Sequence, residues 1–181
     1  MKKIGILLFA VLVNSMSVFG QGARNIKINE IMTNNISSIQ DEYGRRDVWV
    51  ELANSSYSTY NVRGMFITTD RRALNKDLTV SQRKALMSIV PNGDPRTNMS
   101  ARQHLVFFLN SNPTQGSLYI TAKAESGKPL WVALYDGNAI DIIDSVSVPA
   151  LAANQSYARA ADGAEKWQVK KPEMVTPGIS N

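Results

Sequence analysis

Cysteine is absent from this 181-residue chain, and histidine occurs once. The first absence removes disulfides, thiolate metal sites and cysteine nucleophiles. The second excludes zinc sites built on two or three histidines. Beyond the N-terminus no segment reaches the roughly 20 apolar residues that a membrane-spanning helix needs. The single histidine, His104, has no Gly-x-Ser-x-Gly element to serve, so a nucleophile, base and orienting acid cannot be assigned. Recognised nucleic-acid motifs are missing too. What is present is ordinary for a globular chain: 44% hydrophobic and 19% charged residues, which is not a disordered balance.

The N-terminus reads as a signal peptide. Lys2 and Lys3 precede an apolar run from Ile4 to Val13, and Asn14 to Gly20 is small and polar. This is the three-part pattern of a secretory leader. Val18 and Gly20 fit the small-residue preference around a cleavage site, which places the cut before Gln21. The expectation is an exported protein, periplasmic or extracellular, with one domain over residues 21–181. Such a domain of 161 residues is long enough to bury a core without covalent staples. It carries 18 basic against 15 acidic side chains. A net charge of +3 does not demand a polyanionic partner.

Along the chain, short apolar runs alternate with turn residues. Ile26, Ile28 and Ile31 mark a first strand. Val48, Val50 and Leu52 alternate with Trp49 and Glu51, the period of a strand with two distinct faces. Trp49 therefore either meets solvent or is covered by another element. Asn54-Ser55-Ser56 closes that strand with turn chemistry. Residues 59–68 are a further strand, interrupted at Gly64, and His104 to Leu109 and Ser117 to Lys123 follow. Asp136-Gly137 and Asp162-Gly163 each sit between two β-rich runs and predict tight hairpins. One segment departs from this pattern. Thr79 to Val90 predicts a short helix, with Thr79 and Gln82 at capping-box spacing and Leu86, Ile89 and Val90 on one face. Residues 170–181 read as the loosest part, a Pro-Gly turn and a free tail. Eight or nine strands joined in this way predict an all-β sandwich.

Two blocks give that sandwich a family resemblance. The opening is Ile28-Asn29-Glu30-Ile31, followed by Asp47-Val48-Trp49-Val50-Glu51-Leu52-Ala53-Asn54, and then Ile67-Thr68-Thr69-Asp70. The ending is Ser156, Arg159, Asp162-Gly163, Trp167, Thr176-Pro177-Gly178 and Asn181. In order and spacing the chain resembles the lamin tail domain family, as a bacterial, exported, stand-alone member. The resemblance implies an immunoglobulin-like β-sandwich that acts as an accessory module, and it supplies no catalytic residues. It also implies structural roles for Glu30, Asp47 and Glu51, pairing with backbone or with Arg45 and Arg46. Residues 71–103 depart from it. They form an insertion longer than the family's usual connection.

Four sets of residues invite a chemical role. The acids Glu30, Asp41, Glu42, Asp47, Glu51 and Asp70 could share a hard cation such as Ca2+, but they lack the spacing of a dedicated calcium loop, and the structural reading is preferred. No metal, cofactor or catalytic set is assigned, and His104 reads as a strand-end residue. The basic residues Arg71, Arg72, Lys76, Arg83, Lys84, Arg96 and Arg102 lie in or beside the insertion. They are the candidate contact surface for an envelope or extracellular protein, or for an anionic polymer. Trp49, Trp131, Trp167, Tyr119, Tyr135 and Tyr157 could stack against sugar rings. Asp144-Ser145-Val146 resembles a short O-glycosylation pattern, for which an ordinary strand is the plainer reading. The expected function is a non-enzymatic interaction or structural module. The alternatives are an accessory part of an exported hydrolase, or a carbohydrate- or metal-binding domain.

Overall fold

The computed structural model describes residues 22–110, 116–122 and 124–181. The leader expected over residues 1–20 lies outside them. The described chain is all-β with little helix. Twelve strands form three sheets among the described residues. The largest has six strands in the order β12 (Trp167–Lys170), β11 (Ser156–Arg159), β1 (Ile26–Met32), β2 (Val48–Asn54), β7 (His104–Asn110) and β8 (Tyr119–Thr121). The second has four: β10 (Ile142–Val148), β9 (Leu130–Tyr135), β4 (Phe66–Thr68) and β5 (Ser88–Ile89). The short strands β3 (Tyr60–Asn61) and β6 (Asn98–Met99) pair separately. All these pairings are antiparallel except β7 with β8.

The two larger sheets share one apolar core. Ile26, Ile28, Ile31, Val50, Leu52 and Phe107 enter it from the six-stranded sheet, and Ile67, Val132, Leu134, Val146 and Val148 from the four-stranded one. The spacing of Ile26, Ile28 and Ile31 breaks strict alternation, and the structure shows why. The register between β1 and β2 slips by one residue between Ile28 and Glu30. Asn29 is the extra residue of a β-bulge. The slip turns Ile31 back to the core and puts Glu30 on the outer face, directly across from Glu51.

Several sequence expectations need correction. The helix α1 covers only Val80–Lys84. Thr79 and Gln82 do form the reciprocal capping box, but the chain leaves the helix because Ser88 and Ile89 pair with Ile67 and Phe66 as an edge strand. Leu86, Ile89 and Val90 therefore share no helical face: Ile89 is exposed and Val90 lies in the main core. Residues 71–103 are woven into the fold. They contribute β5, β6 and the buried Ala73, Val90, Thr97 and Met99. The hairpin of β9 and β10 exists, but its loop is wider than a two-residue turn. Asp136 donates its N–H to the carbonyl of Asp141, and Ala139, not Gly137, takes the left-handed conformation (φ 57°). At Asp162-Gly163 glycine does take it (φ 73°), and an added Cβ would stand 2.8 Å from Ser55.

The tail is not loose. Residues 172–181 fold back over the outer face of the six-stranded sheet and are held there by hydrogen bonds to Glu30, Glu51, Asp162 and Asn29.

Candidate functional site

The outer face beneath the tail is polar and sealed. Glu30 and Glu51 are completely buried, and the side chain of Asp162 is 3% exposed. Like charges directly opposite in a sheet repel, so three buried acids here need compensating donors, or a proton on one of them. The tail supplies one main-chain N–H to each. Thr176 N donates to Glu30 Oε2 (3.2 Å), Gly178 N to Glu51 Oε2 (2.6 Å) and Asn181 N to Asp162 Oδ1 (3.0 Å). Side chains complete the network. Thr176 Oγ1 donates to Glu30 Oε2 (3.0 Å) and Ser156 Oγ to Glu30 Oε1 (2.5 Å). Asn29 Nδ2 reaches both Glu51 Oε1 and Asp162 Oδ1 (3.1 Å each). Lys170 Nζ donates to Thr176 Oγ1 (2.7 Å) and to Asn181 Oδ1 (2.8 Å), and His104 Nε2 lies 3.2 Å from Asp162 Oδ2.

The titration of these acids follows their surroundings. Burial pushes Glu51 up to about 8. The Asn29 amide and the Gly178 N–H oppose this, while the charges of Glu30 and Asp162 add to it. Burial also pushes Asp162 up, but the Asn181 N–H, His104, Asn29 and Ser180 outweigh it and hold the carboxyl below the usual range. Among the described residues, no group of three or more His, Asp and Glu side chains is disposed to hold a metal ion. The oxygens of Glu30, Glu51 and Asp162 are claimed by N–H and O–H donors instead. The backbone pairing implied for Glu30 and Glu51 is found, but with the tail and not with Arg45 or Arg46. The remaining acids lie elsewhere. Asp47 accepts from Asn110 Nδ2 (2.9 Å), Asp41 accepts the N–H groups of Tyr43 and Arg45, and Asp70 pairs with Arg72.

The second feature is a groove of about 1150 Å3 on the side where the two large sheets end. Its walls come from β4 and the residues after it, from the stretch Ala85–Ile89, and from Gly116 to Ala122 around β8. Both β5 and β8 are edge strands. They approach closely enough for Ser88 Oγ to donate to the Thr121 carbonyl (3.1 Å).

The candidate cations are distributed unevenly about this groove. Arg71 and Arg72 border it. Arg71 lies over the Trp131 ring, 5.4 Å from its centroid, and donates to Ser147 Oγ. Arg72 is bound through two nitrogens to Asp70, which holds that carboxyl below its usual range. Lys84 stands over Phe66, and Lys76 is exposed. Arg83 is buried and donates to the Asn75 carbonyl. Arg96 pairs with Asp94 and reaches Ser117, a groove residue. Arg102 is distant from these and belongs to the tail face, 3.9 Å from Asp162.

The aromatic set is likewise scattered. Trp49 and Tyr135 are buried, while Tyr157 stacks on Trp167 with centroids 5.2 Å apart. Asp144 is tied into the fold: its Oδ2 accepts from Arg159 Nη2 (2.7 Å) and from the Ile28 N–H (2.8 Å). Asn29, Asp162, His104 and Lys170 were not foreseen as one cluster. The broken isoleucine spacing at residue 29 was the available signal for the bulge that starts it. No family model and no curated protein matches the chain.

Proposed function

We propose that this protein is a non-enzymatic interaction module, an immunoglobulin-like sandwich of the lamin tail type that is exported and works in the cell envelope or at the surface. Support for the family comes from where its motif residues sit. Asn29, Glu30 and Glu51 of the opening blocks meet Ser156, Asp162, Thr176, Gly178 and Asn181 of the ending in one network. The partner is an extended segment of another envelope or extracellular protein.

The observation that carries this reading is the groove between the edge strands β5 and β8. Edge strands offer unpaired main-chain groups to an added strand, and the groove gives side chains of that strand a place to enter. The cations favour a protein over an anionic polymer, because Arg72 and Arg96 are already matched by Asp70 and Asp94 and Arg83 is buried.

The test uses two exposed edge positions, Ile89 and Thr121. The double variant Ile89→Lys, Thr121→Lys should melt within a few degrees of the parent and lose its partner in capture from envelope extract. A photo-cross-linker placed at either position should mark the same partner. Capture unchanged by both lysines would sink the groove as the contact surface.

A further inference from the structure

The tail seat has the anatomy of a receptor and its ligand. The receptor half is built by the sheet itself. Glu30 and Glu51 stand on adjacent inner strands, and Asp162 follows β11. The ligand half is a segment with a turn at Pro177-Gly178, where Ile179 N–H donates to the Thr176 carbonyl, and it has little apolar anchorage: Met174 and Ile179 are 54% and 62% exposed. Recognition is therefore polar and ordered along the chain. Main-chain N–H groups at positions 176, 178 and 181 each meet a different carboxyl group. The side chains of Thr176 and Asn181 are read by Glu30, Lys170 and the Asn29 carbonyl. Gly178 has φ +84°, a conformation that other L-residues adopt with difficulty. The seat thus selects Thr-x-Gly-x-x-Asn with its glycine in a tight turn.

We propose that this face is a peptide-binding site and that its occupant in trans is the same segment of a second copy of the chain. The contacts are polar, and water can take up the donors and acceptors that a departing segment leaves. The 3-10 turn Pro172–Met174 that leads into the segment buries none of its residues, so a tail can leave its own seat without emptying the core. The vacated acids then present the same three acceptors to a neighbour's tail. This site is separate from the groove and does not depend on it.

A protease site inserted in the exposed Lys171–Glu173 turn allows the tail to be cut after the full chain has folded. A fluorescent peptide of residues 171–181 is then added and followed by anisotropy. The expected result is saturable binding to the cut protein, at least tenfold weaker binding to the uncut one, and at least tenfold weaker binding of a peptide carrying Gly178→Pro. Absence of peptide binding to the cut protein, whether it stays folded or unfolds as the tail departs, overturns the site. Sedimentation tests the occupant. The uncut chain should form a dimer as concentration rises, and Gly178→Pro should abolish it. A chain that stays monomeric throughout overturns exchange between copies.

Discussion

Trp49 fills the outer face of β2, beside Met32 on β1 and Phe108 on β7, and it is fully buried. Removing a buried indole leaves a large cavity, so Trp49→Ala should cost about 3–5 kcal/mol, read from denaturant melts. Trp49→Phe should cost much less, because it also deletes an indole N–H that has no acceptor among the described residues. Glu51 makes a different prediction. Its carboxyl ordinarily titrates at 4.5 and is raised to about 8 by burial in the folded state. Between those values the folded chain holds a proton that the unfolded chain has released. Stability from this group is therefore complete below pH 4.5 and lost as pH rises toward 8. Asp162 works in the opposite sense, since its folded value is depressed and its contribution is lost on acidification. Thermal melts across pH should show stability falling from mildly acid to alkaline conditions, and Glu51→Gln should flatten that fall. An unchanged slope in the glutamine variant would remove Glu51 as its source.

At the scale of elements, the strands were legible because apolar residues alternate along them. The outer face was not. Strand parity left Trp49 free to be exposed, and only the covering elements decide that it is buried. The first strand's isoleucines carried the bulge in their spacing, yet nothing local to Glu30 says that Thr176 will meet it. That contact depends on residues 146 positions apart. The helix reading failed at its C-terminal end for a related reason. Capping chemistry at Thr79 is local and was readable, whereas the pairing of Ser88 and Ile89 with β4 is tertiary. The same pairing predicts the outcome of a deletion. Removing residues 75–100 takes away β5, β6 and the buried Val90, Thr97 and Met99. Circular dichroism of that variant should show loss of the cooperative melt. A folded product would mean that the two sheets close without these strands.

For the whole molecule, two surfaces stand out: a groove where the edge strands β5 and β8 meet, and a polar seat that holds residues 176–181 of the chain itself. The candidate contact cations were legible as a cluster in sequence, but sequence could not show that Arg83 points inward or that Arg102 stands with the tail. The seat also sets an order of events in time. Glu30 lies on β1, and its partner Thr176 lies 146 positions further along the chain. Closing so long a loop is entropically costly, and chains dominated by distant pairings fold slowly. During synthesis from the N-terminus, Glu30 and Glu51 wait without these donors until residues 176–178 have emerged. The native outer face is thus kinetically tied to residues 176–181, which close over the six-stranded sheet only after its strands have been made.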